Sequence, residues 1–389
     1  MKKKKNIKQW IGKIHLWLGL LSGLIVLILS ITGCIYVFSQ EITGMIRKEA
    51  MYVPAVAEKT IPISQLWQST QAKVGTKIEL SNVSVYNNPK KSWVFHCYKG
   101  NENAYTYFGS IEYYQSIYVD PYTGKVLGMY DEEMDFFNIV KFIHWSLLME
   151  TSIGQPIIGW STFIFVIMLI TGIVLWWPKN KSARKQRFAF QWKKTTQWKR
   201  KNYDLHNIFG FYISVIALII AFTGMVWAFT WFQAIVYVAG SGTVTPPDIK
   251  KVTSIITPTT TTIAIDTAFI QIKEKHKDAD AFQLSPAAAN DKTGTISAYI
   301  QQKEGVYYIA HMLQFDQYTG KLLLERKHDE KNFGEKLITA NYDIHVGAIL
   351  GIPGKIMAFI ASFICGMLPV TGFLIWYGRK FKKKPQKTT

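Results

Sequence analysis

Acidic residues and cysteine are both scarce in this chain. Against 45 Lys and Arg stand only 26 Asp and Glu, and three of the 389 residues are Cys. Cys34, Cys97 and Cys365, so far apart, build neither a disulfide framework nor a Cys-x-x-Cys metal site. No Gly-x-Gly-x-x-Gly segment follows a strand-like run and opens a helix, so the chain brings no nucleotide-binding fold of that kind. Four stretches, 14–38, 157–177, 208–232 and 356–377, lack charged side chains altogether. Each is long enough to cross a hydrocarbon core about 30 Å thick at a rise of about 1.5 Å per residue. The first resembles a secretory signal because Lys2, Lys3, Lys4 and Lys5 precede it, but it is too long and has no clean small-residue cleavage site. It is expected to remain as a helix.

The formal net charge of +19 raises the question of nucleic acid, and the positions of the basic residues answer it. Six Lys precede the first span, ten Lys or Arg and no acid fill 178–202, and six Lys or Arg follow residue 377. By contrast, 39–143 carries ten basic and eleven acidic residues, and 233–345 carries twelve and thirteen. Basic loops stay in the cytoplasm, so the expected topology has both termini and the middle loop inside, with two large segments outside. The surplus charge is explained by the membrane, and no nucleic-acid partner is expected.

The chain repeats itself. His15-Leu-Trp-Leu-Gly19 recurs as His206-Asn-Ile-Phe-Gly210, and Thr32-Gly33 as Thr223-Gly224, with a spacing of 17 residues from His to Thr in both copies. Asp120-Pro-Tyr-Thr-Gly-Lys125 recurs as Asp316-Gln-Tyr-Thr-Gly-Lys321, and the histidines His144 and His345 follow. After each of these comes a Gly-x-Pro (Gly154 to Pro156, Gly351 to Pro353), then a span ending in Thr171-Gly172 or Thr371-Gly372. Because the first and third spans run the same way, the halves are expected to be parallel repeats about a pseudo-twofold axis along the membrane normal.

Each outer segment begins with a helical stretch, 63–73 or 265–275, followed by alternating runs at 92–98, 116–119, 296–301 and 306–315. Gly124 and Gly320 suit the left-handed position of a hairpin turn. The expected fold is a polytopic α-helical membrane protein with four transmembrane helices and two extracytoplasmic α+β domains. Its divisions are 1–38 (basic terminus and first span), 39–143 (first domain), 144–177 (second span with its His segment), 178–205 (basic loop), 206–232 (third span), 233–344 (second domain), 345–377 (fourth span with its His segment) and 378–389 (basic tail).

Four of the eight histidines belong to the repeat: His15 and His206 at one depth, His144 and His345 at another. Neutral imidazoles on facing helices are good axial ligands for haem iron, and two of them saturate it, which suits electron transfer. Gly19, Gly33, Gly210 and Gly224 share the faces of these histidines and are candidates to make room for a macrocycle, although small-residue helix packing alone also explains them. His96, His276, His311 and His328 have no repeat partners; His311, five residues before Asp316, is a candidate neighbour of a substrate. Trp10, Trp176, Trp177, Trp231 and Trp376 read as an interfacial belt.

Four spans, paired histidines at the membrane edges and the twice-used Asp-x-Tyr-Thr-Gly-Lys turn resemble the PepSY-associated transmembrane family of bacterial iron-regulated proteins, which includes di-haem ferric-siderophore reductases. The resemblance covers nearly the whole chain. It implies PepSY-like outer domains and a siderophore-bound ferric acceptor; two b-type haems, one on His15 and His206 and one on His144 and His345, would carry electrons outward to it. One-electron reduction loosens such a chelate, because hard oxygen donors hold ferrous iron less well. The donor, a flavoprotein, a soluble reductant or a membrane quinol, must be separate. Two other classes remain: an anchored binding or regulatory protein, which would be colourless, and an iron or siderophore transporter, which the charge-free spans disfavour.

Overall fold

The computed structural model describes residues 7–101, 103–178, 180–256 and 261–381. The lysines at 2–5, Lys179 of the middle loop and the tail at 382–389 lie outside the described residues. The principal helices, in chain order, are α1 (Ile7–Tyr36), α2 (Ile63–Val74), α3 (Phe136–Ser146), α4 (Thr151–Trp176), α5 (Trp198–Ala228), α6 (Thr261–Lys275), α7 (Asn341–His345) and α8 (Gly351–Lys380). The strands are β1 (Leu80–Tyr86), β2 (Trp93–Gly100), β3 (Ile111–Val119), β4 (Val126–Asp131), β5 (Ala281–Ser285), β6 (Thr295–Gln301), β7 (Ala310–Asp316) and β8 (Leu322–Arg326). The chain divides into two compact units, one of residues 1–38, 140–233 and 344–389, the other of 39–139 and 234–343.

In the first unit α1, α4, α5 and α8 are long and apolar enough to cross a membrane. They close into a ring in which α1 packs on α4 and α8, and α5 packs on the same two; the diagonal pairs, α1 with α5 and α4 with α8, hardly touch. The helices run past the apolar stretches, because intrahelical hydrogen bonding continues where the lipid stops. Near the start of α5, Asp204 accepts from Arg200 Nε at 2.9 Å and from Trp192 Nε1 at 3.1 Å. As a result His15 and His206 are each the ninth residue of a helix, roughly two to three turns further in than the apolar blocks imply.

The second unit is a two-layer α+β structure. Its eight-stranded antiparallel sheet has the order β4-β3-β2-β1-β5-β6-β7-β8. The outer segments, expected as two separate domains at 39–143 and 233–344, here share one sheet and one core. The join is β1 against β5, with Val83 opposite Leu284 and Val85 opposite Phe282. Separately, each half would expose β1 or β5 as an unpaired edge, and pairing them satisfies both rows of backbone groups. One apolar cluster runs through both halves, from Ile63 and Leu66 of α2 and Phe95 and Ile117 of the first to Ala268 and Ile272 of α6 and Phe282 and Phe315 of the second. Ser64 at the start of α2 donates its backbone N–H to Asp266 of α6 at 3.0 Å, a further link between the halves.

The repeated hairpin motif has a physical reading in each residue. Asp120 and Asp316 accept from the backbone N–H two residues on, at 2.9 and 3.0 Å. The hydroxyls of Tyr122 and Tyr318 donate to the carbonyls of Pro89 and Lys292. Gly124 and Gly320 both take φ of +69°, and their carbonyls accept from Lys73 of α2 and Gln271 of α6. A Cβ on Gly320 would lie 2.4 Å from the carbonyl oxygen of Ala264, whereas one on Gly124 would meet Leu66 at 3.6 Å. Gly320→Ala should therefore lower the thermal midpoint of the purified protein clearly more than Gly124→Ala, which carries only the left-handed backbone penalty of roughly 1 kcal/mol.

His96 on β2 lies between two hydroxyls on the sheet face away from the core, with Nδ1 3.2 Å from Ser116 Oγ and Nε2 3.3 Å from Ser84 Oγ. Burial pushes its imidazole down to about 4, with Glu132 opposing weakly. The unfolded chain protonates this group near 6.5 and the folded chain near 4, so its contribution to stability is complete above about 6.5 and is lost as pH falls towards 4. Comparing thermal midpoints at pH 7.5 and 4.5 should show a smaller acid-induced drop in His96→Gln than in the wild type.

Candidate histidine-pair site

The four repeated histidines meet two by two inside the first unit. His15 of α1 and His206 of α5, on diagonal helices, have ring centroids 6.4 Å apart and ring planes at 87°. His144, near the end of α3, and His345, the last residue of α7, are 6.0 Å apart with planes at 76°. The levels are well separated, because each helix bearing a first-pair histidine also bears, 17 residues on, a threonine that touches the second pair; that is about 25 Å of helix. An apolar layer of Leu169, Ile213, Ala217, Ala361 and Cys365 fills the bundle as a core of its own. Trp227 lies edge-on to His345 at 5.2 Å, and Trp145 is 6.2 Å from Trp227.

Every one of these imidazoles is gripped by a Thr-Gly pair from the other spanning helix of its own half. His15 Nδ1 lies 3.0 Å from Thr171 Oγ1, and His144 Nδ1 lies 2.9 Å from Thr32 Oγ1. His206 Nδ1 lies 2.9 Å from Thr371 Oγ1, and His345 Nδ1 lies 2.8 Å from Thr223 Oγ1. The glycine after each threonine admits the ring: a Cβ on Gly172, Gly33, Gly372 or Gly224 would lie 3.4, 3.6, 3.2 or 3.8 Å from the Cε1 of its histidine. The room that Gly33 and Gly224 leave is thus occupied by an imidazole edge. Gly19 and Gly210 lie instead against Met168 and Leu368, whose side chains fill the space beside them. Thr171 and Thr371 stood out in the sequence only as part of the repeat; their signal was the fourfold recurrence of Thr-Gly alongside four histidines.

His144 and His345 reach their level through tight reversals. After α3 the chain turns at Leu147 and Leu148, whose φ values of +56° and +58° are left-handed and strained for a leucine. The second half uses Gly347, at φ +77°. Each reversal lays the carbonyl of the residue two after the histidine onto the next helix, where a Cβ on Gly154 would lie 2.0 Å from Ser146 O and one on Gly354 would lie 2.1 Å from Gly347 O. Gly354, and not the Gly351 of the Gly-x-Pro, is therefore the structural counterpart of Gly154. Pro156 lies within the first turns of α4, and Glu150 caps that helix by accepting from Ser152 N.

Among the described residues no group of three or more His, Cys, Asp or Glu side chains is placed to hold a metal ion. His96, His276, His311 and His328 all belong to the sheet unit. There His276 and His311 face each other at 5.3 Å, and His311 Nδ1 accepts from the His328 backbone at 3.1 Å. The sequence pattern of the PepSY-associated TM region matches residues 13–379, which takes in all four spans and both outer segments. The chain belongs to the PepSY-associated TM family. No curated protein gives a significant match. For this PepSY-associated TM protein, Gly154→Ala and Gly354→Ala should each lower the thermal midpoint, since overpacking costs about 1–3 kcal/mol. Gly378→Ala, where a Cβ meets nothing within 4 Å, is the matched helical control and should leave it unchanged or raise it slightly.

Proposed function

We propose that this protein is a di-haem oxidoreductase of the bacterial cytoplasmic membrane that passes electrons from the cytoplasmic side to a ferric siderophore or other ferric chelate on the far side, releasing ferrous iron. The observation that carries this reading is the spacing within the histidine pairs. With metal–nitrogen bonds of about 2.1 Å and about 1.1 Å from nitrogen to ring centre, two imidazoles on opposite sides of one metal atom have centroids about 6.4 Å apart. The pairs stand at 6.4 and 6.0 Å.

Two imidazoles fill only two positions of an octahedral ion, and a porphyrin supplies the four that the chain does not. Three features fit a planar group at each level. The diagonal helices α1 and α5, which bring His15 and His206 together, hardly touch. His144 and His345 are each only partly buried. The apolar layer between the levels keeps water out of the middle of the bundle. Haem iron with two imidazole ligands exchanges single electrons and leaves no position for oxygen.

The chain's own work in this scheme is to bind, orient and insulate. His15 and His206 hold the haem near the cytoplasmic face, and His144 and His345 hold the one near the opposite face. The orientation rests on the basic middle loop and termini, and the two halves act as parallel repeats about a pseudo-twofold axis. The electron donor is a separate flavoprotein or membrane quinol; the acceptor is ferric iron, whose hard oxygen ligands hold it less strongly once it is reduced.

The test is an absorbance spectrum of the detergent-purified protein, oxidised and then reduced with dithionite, with haem counted per chain. Two haems per chain are expected, with His206→Ala removing one and His345→Ala the other. A colourless protein from haem-supplemented cells would leave only an anchored scaffold.

A further inference from the structure

We infer that Thr32, Thr171, Thr223 and Thr371 are positioning residues that fix the proton of each paired histidine on Nδ1 and so present a bare Nε2 to the iron. This rests on the di-haem reading above and extends it to residues outside the ligand set.

The protons can be followed atom by atom. Each threonine hydroxyl is already committed as a donor to its own helix: Thr32 to Ile28 O at 2.8 Å, Thr171 to Ile167 O at 2.7 Å, Thr223 to Ile220 O at 2.7 Å and Thr371 to Met367 O at 2.9 Å. A hydroxyl has one proton, so towards the imidazole its oxygen accepts, and Nδ1 must donate. At His345 a second acceptor makes the same demand. Its Nδ1 is 3.2 Å from the carbonyl oxygen of Ile220, three residues before Thr223, and a carbonyl has no proton to give. The socket common to all four is a threonine oxygen that takes the Nδ1 proton and a following glycine that lets the ring come close.

With Nδ1–H held, the Nε2 lone pair is free. A metal-bound histidine commonly donates its other N–H to an acceptor that fixes the ring and raises its basicity, and losing that acceptor typically costs 10–100-fold in metal affinity or activity. At His345 the Ile220 carbonyl survives removal of the hydroxyl, so the lower end of that range applies there. Weaker donation from Nε2 also stabilises ferric iron less than ferrous, which moves the reduction potential up.

The experiment uses the full-length protein purified in detergent. Thr223→Val and Thr371→Val keep the side-chain shape and remove the acceptor, while Thr223→Ser and Thr371→Ser keep it. Haem retention and midpoint potentials are read spectroscopically for both haems. We expect each Val variant to hold one haem about tenfold more weakly, with its midpoint moved up and the other haem unmoved, and each Ser variant to match the wild type. Retention and potentials within twofold of wild type in both Val variants, or Ser variants as defective as Val, would overturn the inference while the di-haem reading stood. Should a Val variant fail to accumulate, the other threonine at the same pair decides the matter in the same way, Thr32→Val in place of Thr223→Val and Thr171→Val in place of Thr371→Val. A wild type without haem would sink the underlying reading, and this inference with it.

Discussion

The hydrogen bond between a histidine Nδ1 and a threonine hydroxyl, made four times, is the constraint on which the membrane unit turns. Within each half it is reciprocal. The histidine early in one spanning helix is held by a threonine late in the other, and the histidine that precedes the second helix is held by a threonine late in the first. A helical hairpin is thereby latched near both ends, at a net gain of about 0.5–1.5 kcal/mol per neutral bond. The ring pairs, in contrast, run between the halves. The latches thus orient each imidazole from within its own half, which is the preorganisation that the proposed two-ligand site requires.

Around those latches, glycine is used for two different purposes. Gly33, Gly172, Gly224 and Gly372 admit imidazole edges, whereas Gly154 and Gly354 admit backbone carbonyls from the reversals that follow the second pair of histidines. The two reversals do not match in detail. The first forces two leucines into left-handed backbone where the second has a glycine, so local strain is concentrated beside His144 and not beside His345.

Much of this was legible in the sequence, and the parts that were not share a cause. The spans, the paired histidines and the left-handed glycines of the hairpins follow from local composition and from the internal repeat. Helix starts were read too late, because hydropathy reports where lipid begins and not where hydrogen bonding begins; Trp198 opens α5 ten residues ahead of the apolar block at 208. The single sheet was missed because the pairing of β1 with β5 joins residues about two hundred apart and leaves no local mark. The Thr-Gly pairs were visible as a repeat, but Thr followed by Gly in a span also suits plain helix packing, and only the distances to Nδ1 separate the two uses. Gly351 was set beside Gly154 on the strength of a shared Gly-x-Pro, while the backbone contacts pair Gly154 with Gly354.

The junction between β1 and β5 has a consequence for symmetry. An antiparallel pairing of equivalent edge strands is what two identical subunits form around a dyad, where the same surface serves both sides. Half of this chain, repeated, already contains one histidine of each pair, its own latches and a self-complementary strand edge. The present protein carries both halves in one chain, so the two need not match, and they do not: Leu147 and Leu148 take left-handed backbone on one side where Gly347 does so on the other.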